Sequence, residues 1–244
     1  MSGAPRTGPW TVLMVCTGNL CRSPMAQHLA AAHFPANPPD PASRLLIHSA
    51  GIAAQPDDPM HPHAAALLHA RGFDPAEFRA RPLTADLVEA SDLVLTATRE
   101  HRSEVVGLAP RALRRTFTMR EFSRLTSGVR GGDLPTGQLR LVGEALAAEA
   151  WRARGAGRMV PAALDDLSDP VGQSRDKFEA CATMIDDALA GPLSLLARAC
   201  QAWRAVPAPR RPTSARAARP DLERLAQVGL RASALPGGVE PAQG

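Results

Sequence analysis

The chain has 244 residues, 45% hydrophobic and 21% charged, with a formal net charge of +4; that length suffices for one sizeable core with an appendage. Residues 201–244 hold seven arginines against Asp221, Glu223 and Glu240, so the tail carries the whole net charge and residues 1–200 balance to zero. A uniformly basic nucleic-acid binder is thereby excluded, and no uninterrupted apolar run approaches the ~20 residues that stable membrane insertion needs.

In chain order, residues 10–15 read as a buried parallel strand and 24–34 as the first helix. Leu45-Leu46-Ile47-His48 is a second strand, and 61–71 a helix stopped by Gly72. Asp92 to Thr96 forms a third apolar run, followed by a helix from about Glu100. A short fourth strand at Thr116–Met119 leads into one or two helical turns over 120–126. Residues 174–199 place Phe178, Cys181, Ile185, Ala188, Leu189, Leu195 and Leu196 at helical spacing, as expected of a closing amphipathic helix. Strands alternating with helices predict an α/β fold: a three-layer αβα sandwich around a central four-stranded parallel sheet.

The informative segment is Val12-Leu13-Met14-Val15-Cys16-Thr17-Gly18-Asn19-Leu20-Cys21-Arg22-Ser23-Pro24. A strand here feeds a short loop that opens on Cys16, and Ser23-Pro24 starts a helix, where proline is tolerated because no N–H is donated. Gly18 and Asn19 accept the positive φ that a loop folding its amides inward requires. Such a loop at a helix N-terminus is an anion site, and the helix dipole with Arg22 favours a thiolate at Cys16. The pattern implies phosphoryl transfer through a phosphocysteine. Cys16 is the expected nucleophile, Arg22 the bidentate holder of phosphoryl oxygens, and Ser23 a hydrogen-bond donor to the sulfur. The main chain of Thr17, Gly18, Asn19, Leu20 and Cys21 is the expected phosphate cradle. The four cysteines (Cys16, Cys21, Cys181 and Cys200) lack metal-ligand spacing such as C-x2-C. The histidines offer no ligand set, so neither a metal nor a cofactor is expected.

Residues Val15 to Pro24 resemble the low-molecular-weight protein tyrosine phosphatase family, whose signature reads V-C-x-G-N-x-C-R-S-P. Looser similarity runs in the same order over about residues 9–200. Ser49-Ala50-Gly51 follows the second strand, Ala90 to Leu95 resembles the third, His101 opens the next helix, and Asp169-Pro170 precedes the last. The resemblance implies hydrolysis of phosphotyrosine or another aryl phosphate monoester, with inorganic phosphate as product. It selects Asp169 as the general acid and base, with Asp165 and Asp166 as competitors. It further implies a protective disulfide between Cys16 and Cys21, and a supporting role for Ser49 beside Asn19. Two departures stand out. Phe78 precedes Arg79-Ala80-Arg81 where the family commonly has the histidine that contacts the loop asparagine, and Val171 follows Asp169-Pro170 where an aromatic is common.

Two other readings share the loop. An arsenate reductase resolved by a small thiol needs only Cys16, whereas a thioredoxin-coupled one needs further cysteines that residues 79–110 lack. A non-catalytic phosphoprotein receptor would have no need of Asp169. The expected organisation is a flexible N-terminus over 1–8, a phosphatase domain over 9–200, and a basic tail, mostly disordered, over 201–244. An excursion at about 126–166, with a helix near 138–153, exceeds the family's compact size; it reads either as a lid or rim of the site or as a solvated surface excursion. The N-terminus lacks a signal-like apolar core before Trp10, and a thiolate enzyme suits a cytoplasmic location.

Overall fold

The computed structural model describes residues 8–34, 44–157 and 160–205. Four strands, β1 (Trp10–Cys16), β2 (Leu45–Gly51), β3 (Leu93–Thr96) and β4 (Thr116–Thr118), form one sheet in the order β2-β1-β3-β4. All pairings are parallel, from Trp10 opposite Leu45 to Cys16 opposite Gly51 on one side of β1, and Val12 opposite Leu93 on the other. Alternation along β1 sends Val12 and Met14 into one core and Leu13 and Val15 into the other. The sheet is therefore covered on both faces, as expected for parallel strands.

Helix α1 (Arg22–Ala31) leaves the loop after β1 and packs on the larger core with α2 (Pro62–Ala70). Helices α3 (Ala85–Ala90) and α4 (Arg99–Leu108), with the 3-10 helix Pro110–Arg115, cover the opposite face through Val88, Val105 and Ala112. Helix α5 (Met119–Thr126) begins with a capping box, in which Thr118 Oγ1 accepts from the Glu121 N–H while Glu121 accepts from the Thr118 N–H. Helix α6 (Leu139–Ala156), the short α7 (Ala162–Asp165) and α8 (Arg175–Ala205) complete the described chain. By length and composition, the Arg175–Cys200 part of α8 is long and apolar enough to cross a membrane. Its apolar positions Phe178, Ile185, Leu189 and Leu196 are buried in the larger core, as in the central helix of a globular fold.

The excursion before Asp169 is exposed over residues 130–133 and packs on the core through α6. Helix α6 buries Leu139, Val142, Leu146 and Ala150. Gly143 lies flat on the Trp10 ring, where a Cβ would sit 2.4 Å from a ring carbon. Arg140 ties α6 to the start of β1 and β3, donating to Asp92 Oδ1 at 2.5 Å and to the Pro9 carbonyl at 2.6 Å. Helices α3 and α7 and the 3-10 helix add to the expected elements, and β2 runs three residues beyond His48. The N-terminal residues 1–7 and the tail beyond 205 lie outside the described residues.

Candidate active site

Cys16 ends β1, at the point where the strand order reverses and parallel sheets open a crevice. The loop is pinned by its carbonyls: those of Cys16, Thr17 and Leu20 accept from the N–H groups of Ile52, Ala53 and His61, and that of Cys21 starts α1 through Met25. Gly51 must be glycine, because a Cβ there would lie 2.5 Å from the Thr17 carbonyl oxygen and 2.7 Å from the Asn19 nitrogen. Asn19 takes a left-handed conformation at φ 54°, which its short polar side chain tolerates.

Beneath the loop, Cys16 Sγ lies 3.0 Å from Ser23 Oγ. The Asn19 amide donates to the same hydroxyl at 2.9 Å, and Asn19 Oδ1 accepts from the Arg81 N–H at 3.0 Å. The stretch after Phe78 thus reaches the loop asparagine through its main chain. Ser49 sits one step away: its carbonyl accepts from Arg81 Nε at 2.7 Å, and its hydroxyl donates to Gln27 at 2.7 Å. The expected Ser49 support for Asn19 therefore runs through Arg81.

Arg22, buried at the first position of α1, spans the site. One terminal nitrogen donates to the Leu167 carbonyl at 3.2 Å; the other donates to Thr17 Oγ1 at 3.1 Å and to the Asp169 carboxylate. Asp169 is brought to the loop from 147 positions away and stays half exposed. Its other oxygen accepts from the Val171 N–H at 3.1 Å, a turn that fixes its direction. The competing acids are committed elsewhere. Asp165 is buried against Arg124, which donates to it from two nitrogens at about 3.0 Å, and Asp166 Oδ1 accepts the Arg99 N–H that opens α4.

His101 completes the site; the resemblance places it at the start of a helix but gives it no role at the loop. Its Nε2 lies 2.9 Å from Thr17 Oγ1, and its Nδ1 lies 2.7 Å from the α4 cap, Thr98 Oγ1. Burial and the nearby Arg22 charge lower its pKa to about 4, so the ring is neutral near neutrality. Three cysteines converge here. Cys21 and Cys181 are both pushed up to about 12, chiefly by burial, with Cys16 a further contributor in each case. Neither is a source of thiolate. Cys16 and Cys21 are not joined in a disulfide here. Leu20 borders the loop beside His61, and Gly18 lies above Leu20. The rim carries exposed aliphatics, Ile52 and Val171. Among the described residues, no group of three or more potential ligands is placed to hold a metal ion.

The family model "Low molecular weight phosphotyrosine protein phosphatase" matches residues 11–132. A probable low molecular weight protein-tyrosine-phosphatase, EpsP of Ralstonia nicotianae, is 34% identical over 114 residues, covering 47% of this chain and 73% of that protein. A protein-arginine-phosphatase of Bacillus subtilis is 33% identical over 111 residues, covering 46% of this chain and 71% of that protein. The fold matches the crystal structure of a YwlE mutant from Bacillus subtilis with TM-score 0.54 at 23% identity, over 77% of this chain and 99% of the other. It also matches Vibrio vulnificus Wzb in complex with benzylphosphonate, with TM-score 0.53 at 21% identity, over 76% and 97% of the two chains. On this sequence match and these relatives, the chain belongs to the low molecular weight phosphotyrosine protein phosphatase family.

Proposed function

We propose that this enzyme hydrolyses phosphate monoesters in two steps on Cys16. The sulfur attacks phosphorus, the S–P bond forms as the bond to the leaving oxygen breaks, and Asp169 gives that oxygen its proton. A water then attacks the phosphocysteine, Asp169 takes the water's proton, and inorganic phosphate departs as the S–P bond breaks. Arg22 would hold two phosphoryl oxygens with the nitrogens that now reach Leu167, Thr17 and Asp169. Main-chain amides of Thr17 to Cys21 would complete the cradle, since the loop carbonyls at Cys16, Thr17, Leu20 and Cys21 are already engaged by the surrounding chain. Ser23 would stabilise the sulfur when it leaves.

One observation carries this reading: Arg22 joins Thr17, in the loop that follows Cys16, to Asp169 in a single hydrogen-bonded group. Phosphotyrosyl proteins or small aryl phosphates are the proposed substrates. Neither an arsenate reductase nor a phosphoprotein receptor is favoured by the family match. With p-nitrophenyl phosphate, Cys16→Ser should abolish turnover while the protein still binds phosphate. Undiminished turnover would remove Cys16 as nucleophile.

A second reading concerns the leaving group. No aromatic side chain follows Asp169-Pro170, and the rim residues Ile52 and Val171 are aliphatic, a poor grip for a phenyl ring. Relatives from Bacillus subtilis and Geobacillus stearothermophilus, each 33% identical, are named protein-arginine-phosphatases. Phosphoarginine, whose P–N bond would break in the same first step, is the substrate this rim favours second. Comparing kcat/KM for phosphoarginine and phosphotyrosine peptides of one sequence decides between them.

A further inference from the structure

Behind the segment that carries Asp169 lies a cavity of about 150 Å³ where the end of α6 meets α4 and α5. Four guanidinium groups (Arg99, Arg102, Arg124 and Arg154) and two carboxylates (Glu121 and Asp165) line it. We propose that this cavity is a second oxyanion site, taking a phosphate-type group either free or as the head of a small phosphomonoester.

Among the described residues the charge pairing leaves a cation in excess. Glu121 serves two arginines at once, Arg102 at 2.6 Å and Arg154 at 2.8 Å. Asp165 is taken by Arg124. Arg99 is held loosely, 3.9 Å from Asp166, with one nitrogen donating to the Val160 carbonyl at 3.3 Å. Four guanidiniums therefore face three carboxylates. Burial, with Arg102 adding to it, lowers the pKa of Arg154 despite Glu121, as expected where positive charge is under-compensated. The side chains of all four arginines are between 20% and 37% exposed, so their donors are reachable. Arg102 spends one terminal nitrogen on Glu121 and keeps N–H groups in the planar fork that suits a tetrahedral oxyanion.

The site shares no residue with the Cys16 loop, yet its wall leads into it. Asp165 and Asp166 stand four and three positions before Asp169. Thr118 donates to the Asp165 carbonyl at 2.6 Å and Arg120 to that of Asp166 at 3.1 Å, fastening the segment to the start of α5. An anion that draws Arg99 or Arg124 toward itself therefore pulls on the segment that positions Asp169. Arg154 and Asp165 come from the excursion that exceeds the family's compact size, so this chain closes one side of the cavity with its own addition.

The test is calorimetric titration of the full chain with inorganic phosphate and, as the ester-like probe, methylphosphonate. The expected result is two phosphate equivalents. Arg102→Gln and, separately, Arg99→Gln should each weaken one equivalent at least tenfold while retaining p-nitrophenyl phosphate turnover, which shows that the variant is folded. Arg22→Gln should remove the other equivalent. Phosphate binding without methylphosphonate at this cavity identifies the free anion; binding of both identifies the ester head. A single equivalent lost in Arg22→Gln and untouched in Arg99→Gln and Arg102→Gln overturns the proposal, as does no binding at all. A single equivalent that survives Arg22→Gln but fails in Arg102→Gln upholds this cavity and contradicts the proposed role of Arg22 instead.

Discussion

Cys16, Cys21 and Cys181 are neighbouring thiols, all of them buried. Burial pushes Cys21 and Cys181 up, and the proposed nucleophile, Cys16, is set apart by the Ser23 hydroxyl 3.0 Å away at the mouth of α1. Asp169, the proposed acid, contacts Arg22, while Asp165 and Asp166 serve other partners. Asp169→Ala should therefore slow esters of poor leaving groups by ~10²-fold or more, and esters of good ones far less; equal losses across an aryl series would contradict its role as acid. His101 makes a prediction about stability. Its folded pKa, about 4, lies below the unfolded value of 6.5, so between these the unfolded chain binds the proton and the folded one does not. Stability should be full above pH 6.5 and fall as pH drops toward 4, by on the order of 3 kcal/mol. In His101→Gln that slope should flatten, measured by urea unfolding across this range; an unchanged slope would refute the assignment. The loop from Cys16 to Pro24 was legible in the sequence because its chemistry is contiguous. His101, the Leu167 carbonyl and the Arg81 N–H were not, since each reaches the loop only through tertiary packing.

At the level of elements, long periodic segments were readable and short ones were not. Helix α8 and strand β1 announce themselves by apolar spacing. Helix α3 has six residues and the 3-10 helix Pro110–Arg115 as many, too few for a period to show. The sequence reading ends β2 at His48 and puts Ser49-Ala50-Gly51 after it, yet these residues pair with Met14, Val15 and Cys16. Sheet pairing overrode local preference there, and the close approach at Gly51 is what lets the loop sit above it. The helix near 138–153 was foreseen, but its docking on Trp10 was not, because a glycine at a helix contact leaves no apolar signal. Gly143→Val should force that contact apart and cost about 1–3 kcal/mol or more, read by thermal unfolding. The surviving folded fraction should keep its kcat, since Gly143 touches no part of the loop. A variant as stable as the parent would show that α6 is not seated on Trp10.

Across the whole molecule, a doubly covered parallel sheet delivers one strand end, one helix start and one distant aspartate to a common point. The sheet supplies Cys16, α1 supplies Arg22 and Ser23, and the loop before α8 supplies Asp169, so two of the three proposed reacting groups, Cys16 and Arg22, rest on regular elements. Residues 1–200 carry no net charge, which leaves substrate capture to the local field of Arg22 and the loop rather than to long-range steering. The most direct measurement is rapid quenching of the enzyme during turnover of p-nitrophenyl phosphate, followed by peptide mass spectrometry. One phosphoryl group should be found on the peptide ending β1, on Cys16, accumulating further in Asp169→Ala when the leaving group is good and dephosphorylation becomes limiting. A phosphoryl group on any other side chain, or sustained turnover by Cys16→Ser with none on the protein, would contradict the mechanism.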